Sequence, residues 1–166
     1  KSNKESLGSS FLEGALMYRI YIFCDGGCRG NQFEHNVGGF GVVIKFKNHI
    51  KEFYGSQIDT TNNIMELLSC IYSLEVIKTK HIPIVVTMDS SYVIQGINEW
   101  IDSWLHNGWY NSQNKPVQNR ELWIRLYNLK TKFEDIQFVK CKGHSTNEGN
   151  IRADELANIA MDEYKS

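Results

Sequence analysis

The chain has 166 residues, 42% of them hydrophobic, and a formal net charge of −1. That length supports one compact domain with its own core and hardly two. The near-neutral balance excludes a protein that grips nucleic acid by overall charge, so any such binding must come from a local surface.

No apolar run approaches membrane-spanning length and no signal-peptide pattern is visible. The expectation is a cytoplasmic protein with no membrane partner. Four cysteines (Cys24, Cys28, Cys70 and Cys141) fall in apolar or tight-turn contexts without the second pair that a zinc site needs, and read as reduced thiols.

Residues 1–16, KSNKESLGSSFLEGAL, are polar, rich in Ser and Gly, and lack periodicity. They read as a linker or an expression remnant outside the core, leaving 17–166 as one domain. In chain order, residues 17–25 read as a strand, 38–47 as a second and 51–58 as a third, joined by a turn at Asn48-His49. Such closely linked strands predict an antiparallel meander.

Residues 62–80 carry Ile64, Leu67, Leu68, Ile71, Leu74 and Ile77 at helical spacing, with Thr60 or Thr61 as cap. IPIVVTMD (82–89) reads as a buried strand and 90–100 as a helix. A polar, Trp-rich stretch follows to Pro116. Residues 117–133 read as a helix, 136–143 as a strand and 150–164 as a last helix. This order predicts an α/β fold, a mixed five-stranded sheet with helices on both faces.

Four carboxylates stand in unusual company. Asp25 follows the apolar run YIFC and precedes two glycines. It either opens a turn or is held at a strand end for chemistry, with bare backbone beside it that a ligand can approach. Asp89 also ends a strand, and for it alone a helix N-cap is the stronger reading, a duty that Ser90 or Ser91 could share.

Glu66 lies on a helical stripe of small polar residues (Asn62, Asn63, Ser69, Cys70 and Ser73) rather than the long charged residues of a solvent face. Asp154 sits in the first turns of the last helix, where the macrodipole alone could account for it. Ala153 and Ala157 beside it permit close packing. One joint explanation is simpler than four separate ones: the carboxylates converge where the first and fourth strands end. Such a cluster needs cations to stay ionised. All-oxygen ligands suit Mg²⁺ or Mn²⁺, and two such ions form a phosphoryl-transfer apparatus.

DGGCRGN (25–31), TTNNIMEL (60–67), TMDSSYVIQGINEW (87–100), KPVQNRELW (115–123), VKCKGH (139–144) and ADELA (153–157) occur in this order. Together they resemble the successive motifs of a type 1 ribonuclease H, over residues 17–164. The resemblance implies a ribonuclease H-like fold with a Trp-containing handle insertion. It also implies a metal-dependent endonuclease that cuts the RNA strand of RNA–DNA hybrids, leaving 5′-phosphate and 3′-hydroxyl ends, and acting as a monomer. By it, Asp25, Glu66, Asp89 and Asp154 hold two Mg²⁺ ions, with Mn²⁺ as substitute. Asp25 would bridge both ions, Glu66 and Asp89 would hold the water-side ion, and Asp154 the other. His144, in a loop rich in Gly, Ser, Thr and Asn, would shuttle a proton or help product leave; Glu148 could assist.

The resemblance further implies that Gly26, Gly27, Cys28 and Gly30 let backbone approach the minor groove and its 2′-hydroxyls. Asn31, Asn62 and Asn63 would contact sugars and bases, and Thr61 and Asn119 would grip a DNA-strand phosphate. The ordinary role of Asn62 and Asn63 is helix capping. The handle offers Trp100, Trp104 and Trp109; Trp100 and Trp104 would touch substrate, and at least one of the three is expected to be buried.

Three departures stand out. Asp59 occupies a position where many relatives carry arginine. The handle is weakly basic, with His106 and Lys115, and Arg120 just beyond, against Glu99 and Asp102. Residues 32–37 lengthen the first loop. Two other readings fit the fold: a non-catalytic hybrid- or RNA-binding module, and a transposase- or integrase-like strand-transfer core. The intact carboxylates argue against the first, and the handle and Gly143-His144 loop against the second.

Overall fold

The computed structural model describes residues 18–30, 35–142 and 147–164. The expectations for residues 1–16, Asn31, residues 32–34 and the Gly143-His144 loop lie outside the described residues. Five strands form one sheet in the order β3-β2-β1-β4-β5. They are β1 (Ile20–Arg29), β2 (Val37–Phe46), β3 (His49–Ile58), β4 (Ile84–Met88) and β5 (Ile136–Lys140). β1–β2 and β2–β3 are antiparallel, whereas β1–β4 and β4–β5 are parallel. The expected mixed sheet and meander are therefore present.

The helices are α1 (Asn62–Glu75), α2 (Ser91–Gln95), α3 (Ile101–Asn107), α4 (Arg120–Lys130) and α5 (Glu148–Glu163), with a π-helical turn, Gly96–Trp100, joining α2 to α3. α1 packs on one face of the sheet, against β1 and β2, with α4 behind it, while α5 packs across β1, β2 and β3. Ile22, Cys24, Leu67, Ile71, Leu74, Val86 and Met88 build the larger core. Val43, Ala153 and Leu156, flanked by Phe23 and Ile159, fill the smaller one. β1 has apolar side chains for both cores, as its unbroken apolar run implies.

Several boundaries differ from the sequence reading. β1 does not end at Asp25 but runs on to Arg29, because β2 continues to pair with it through Cys28↔Gly38 and Arg29↔Val37. What ends near Asp25 is the parallel pairing with β4, whose last register pair is Phe23↔Thr87. α1 stops at Glu75, with Val76 as C-cap, although apolar spacing continues to a buried Ile77. The helix expected over 90–100 continues through the π turn into α3, so the first part of the Trp-rich stretch, to Asn107, is helical. α4 begins at Arg120, not 117, because Asn119 adopts left-handed backbone, φ 61°.

Candidate active site

Beyond Phe23 and Thr87, β1 and β4 no longer pair, and Asp25 and Asp89 each lie two residues further along their strands. The carboxyl ends of parallel strands are where open α/β sheets place their sites. Asp25 faces the α5 side, as its cross-strand partner Gly41 does. A Cβ on Gly41 would lie 2.7 Å from Leu156 Cβ and 2.8 Å from Ala157 N. The missing side chain thus lets α5 settle on the sheet, bringing Asp154 into hydrogen-bond contact with Asp25.

Gly26 does the same on the other face. A Cβ there would lie 2.5 Å from Glu66 N and still closer to the Met65 carbonyl. The space beside Gly26 is therefore filled by the backbone of α1, not left for a ligand, which corrects the reason given above for that glycine. Gly27 and Gly30 have no such neighbour: the nearest atom to a Gly27 Cβ is Met161 Cε at 4.0 Å, and Gly30 faces open space.

Helix capping does not account for Asp89, nor the helix-end charge for Asp154. The N-cap of α2 is Ser90, whose Oγ accepts from Val93 N–H at 3.2 Å. α5 is capped by Asn147, one residue before Glu148, so Asp154 lies nearly two turns inside, beyond the reach of the helix-end charge. Ser90 also donates its hydroxyl proton to Glu66 Oε2 at 2.7 Å. Ser90 was read above only as a possible cap, and its link to Glu66 depends on α1 and α2 meeting in space.

Burial and the neighbouring carboxylates make this an acid-rich site. Burial, reinforced by the hydrogen bond and charge of Asp154 and by the charge of Glu66, pushes the Asp25 carboxyl up to about 7, against the pull of the Gly26 N–H. Burial also raises Glu66, with Asp89 adding to the shift and the Ser90 hydroxyl opposing it. Among the described residues, no three His, Cys, Asp or Glu side chains surround a common metal position. The carboxylates stand as two pairs, Asp25 with Asp154 and Glu66 near Asp89, linked by the Asp25–Glu66 repulsion.

The donor set nevertheless fits divalent hard cations. It is all oxygen, and its repulsions are of the kind a cation relieves. In addition, both amide atoms of Asn150, one helical turn before Asp154, are buried without a hydrogen-bond partner among the described residues.

The expected substrate contacts are dispersed around this centre. Asn62 and Asn63 are exposed. Neither is the cap: Thr61 is, accepting from Ile64 N–H at 3.1 Å. Cys28 Sγ reaches Thr60 O at 3.8 Å, joining β1 to the start of α1. Asn119 heads α4 and donates to Tyr92 Oη at 3.2 Å.

In the handle, Trp104 packs against Trp100, Trp109 and Trp123 at centroid distances of 6.0, 6.1 and 5.3 Å, edge-on to Trp123. Trp104 is 7% exposed and Trp100 39%. Of the two tryptophans expected to touch substrate, Trp104 is thus mainly core, because four rings and the surrounding aliphatics pack together more favourably than an isolated platform. Trp100, Trp104 and Trp123 border a cleft of about 630 Å³.

The sequence reading missed one further pair. Asp59, φ 55°, has both carboxylate oxygens near His35 Nδ1, at 2.9 and 3.0 Å. Asn36 clamps the adjoining Thr60 at both its N–H and its carbonyl, each at 2.9 Å. An acid in place of arginine, together with a histidine in a lengthened loop, was the available signal.

Known proteins share this architecture. The LC9-RNase H1 structure, described as a type 1 RNase H with the type 2 active-site motif, matches with a TM-score of 0.76 at 26% identity, covering 89% of this chain and 74% of that one. LC11-RNase H1, solved in complex with an RNA/DNA hybrid, matches with a TM-score of 0.63 at 28% identity, covering 87% and 97%. In sequence, the ribonuclease H of Ruthia magnifica is 48% identical over 150 residues, covering 90% of this chain and 100% of the relative. That of Clostridium botulinum is 44% identical over 149 residues, covering 89% and 99%. Since the RNase H family model also matches residues 17–162, the fold is ribonuclease H-like and the chain belongs to the ribonuclease H family of hydrolases.

Proposed function

We propose that the chain is an endonuclease that hydrolyses the RNA strand of RNA–DNA hybrids, with Asp25, Glu66, Asp89 and Asp154 holding two divalent cations, Mg²⁺ or alternatively Mn²⁺. The observation that carries this reading is the burial of Asp25 against Asp154 and near Glu66, which together raise its carboxyl to about 7. A protein maintains such repulsion where cations and a phosphate are to meet. The hybrid bound by LC11-RNase H1 supports the substrate class.

When bound at these carboxylates, such cations lower the pKa of an attacking water and stabilise the leaving 3′-oxygen. The protein groups prepare the site. The Gly26 N–H and Asp154 orient Asp25, and Ser90 fixes one oxygen of Glu66. Cleavage in this sense leaves a 5′-phosphate and a 3′-hydroxyl. His144 acts as proton shuttle or assists product release. Gly27, Gly30, Cys28, Asn31, Asn62 and Asn63 meet the minor groove, Thr61 and Asn119 a DNA-strand phosphate, and Trp100 a sugar or base face. Residues 17–166 act as one monomeric cytoplasmic domain, with 1–16 as a linker or an expression remnant.

The test is cleavage of end-labelled RNA–DNA hybrid, duplex DNA and duplex RNA, each with and without Mg²⁺. Only the hybrid is expected to be cut, only with the metal, and not by Asp25→Asn. His144→Ala should slow turnover without abolishing it. Cleavage of duplex DNA, or full activity of Asp25→Asn, would falsify the reading; binding of hybrid without cleavage would make the chain a binding module.

A further inference from the structure

The handle brings little positive charge to a site dominated by carboxylates, so the grip on a nucleic-acid backbone has to come from another element. β5 ends at Lys140, whose register partner is Met88, the last residue of β4. Lys140 therefore stands at the same edge of the sheet as Asp89. The next residue, Cys141, is buried and donates its N–H to Met88 O at 2.8 Å. Lys140 shares a strand face with buried Phe138 and with its register partner Met88, but it stands at the very end of the strand and is exposed.

Lys140 Nζ donates to Ser91 Oγ, 2.5 Å away at the start of α2. On the same strand, Phe138 O accepts from Asn98 Nδ2 at 2.9 Å, tying β5 to the π turn that ends in Trp100. Tyr92, next to Ser91, lines the handle cleft with Trp100 and Lys115. The ammonium of Lys140 is thus held at the start of α2, beside a residue whose sequence neighbour lines that cleft. Among the described residues it is anchored by a hydroxyl, which leaves its charge in place.

We propose that Lys140 is a substrate-binding residue whose ammonium contacts a backbone phosphate of the nucleic acid where it passes from the carboxylates to the handle cleft. The assignment rests on the hybrid-cleaving function proposed above. Lysine ordinarily loses rotamer freedom on meeting a phosphate, and the bond to Ser91 has already restricted that freedom. A single cation here also offsets the repulsion between the carboxylates and an approaching phosphate.

The experiment measures binding of RNA–DNA hybrid against salt concentration in the non-cleaving Asp25→Asn background, with and without Lys140→Gln. One phosphate contact corresponds to about one unit of slope in log affinity against log salt. The affinity advantage of the lysine protein over the Lys140→Gln variant should therefore shrink about eightfold over a tenfold rise in salt. Lys140→Arg should restore the slope. Lys51→Gln, on β3 at the opposite edge of the sheet, is a control for net charge and should leave the slope unchanged. In the cleaving enzyme, Lys140→Gln should raise KM by a larger factor than it lowers kcat.

An unchanged slope in Lys140→Gln, or an equal loss of slope in Lys51→Gln, overturns the contact while leaving hybrid cleavage standing. Failure of the parent protein to bind hybrid at any salt concentration overturns both.

Discussion

One hydroxyl connects a helix cap to a catalytic candidate: Ser90 Oγ accepts from Val93 N–H at 3.2 Å and donates to Glu66 Oε2 at 2.7 Å. Ser90→Ala should lose about 1 kcal/mol of stability through the cap. It should lose more in activity, because Glu66 is freed to rotate. The Ser90 bond also holds the Glu66 carboxyl down against burial. Its loss should shift the acidic limb of the pH–rate profile to higher pH. Ser90→Thr, which keeps the hydroxyl, should retain both properties. A Ser90→Ala variant that melts earlier but cleaves with an unchanged pH profile would reduce Ser90 to a cap.

The raised Asp25 carboxyl makes metal-free stability depend on pH. Its ordinary value is 3.8 and its folded value about 7. Between these values the folded protein keeps a proton that the unfolded chain has released, so stability falls as pH rises through that window and stays low above it. A rise from 3.8 to about 7 corresponds to at most roughly 4 kcal/mol. Denaturant unfolding in chelator should therefore show a less stable protein at pH 8 than at pH 5, with much of the difference removed in Asp25→Asn. Mg²⁺ should recover stability at pH 8. Equal stability at the two pH values in chelator would contradict the crowding described for Asp25.

Gly26 and Gly27 are adjacent in sequence and unequal in space. Gly26→Ala drives a methyl group into the Met65–Glu66 backbone, which belongs to a helix and cannot move alone. The expected cost is about 3 kcal/mol or more, with loss of activity as α1 and Glu66 are pushed off β1. Gly27→Ala, with its nearest neighbour 4.0 Å away, should fold with near-parental stability. Thermal melts of the two variants decide the point, and similar losses in both would mean that the approach of α1 is looser than described.

Asp59 is engaged by His35. Asp59→Arg would remove that pair and put a cation in place of the acid. KM for hybrid should fall at moderate salt, single-turnover cleavage at saturation should hardly change, and the salt dependence of binding should steepen by about one phosphate contact. The left-handed backbone at this position costs arginine more than aspartate, on the order of 1 kcal/mol. Asp59→Asn tolerates that backbone and serves as the intermediate case. An unchanged salt slope for the arginine variant would place this side chain away from the substrate.

Much of the architecture was legible because it is encoded locally. Alternation in YIFC and helical spacing from Ile64 to Leu74 give the period of each element and the side that must be buried. Six short motifs in a fixed order then pointed to the fold and to the four carboxylates, which no single motif could do. The continuation of β1 past Asp25 was hidden, because two glycines resemble a turn until β2 is seen pairing with them. Continuation of the handle as helix was hidden by its polar, Trp-rich composition.

Other features exist only in three dimensions. Glu66 and Ser90 are 24 residues apart, and Arg29 holds Asp162 across 133 residues. No periodicity reports such pairings. They follow from how closely α1 and α5 settle on the sheet, and the lack of a side chain at Gly26 and Gly41 permits that approach. Sequence alone determined which residues carry charge and which strand or helix presents them. The tertiary structure decided that Asp25 is pressed against Asp154, that Trp104 is core while Trp100 is exposed, and that Lys140 stands beside Ser91. Proton affinity and contact both depend on distance and burial, which exist only once the chain has packed.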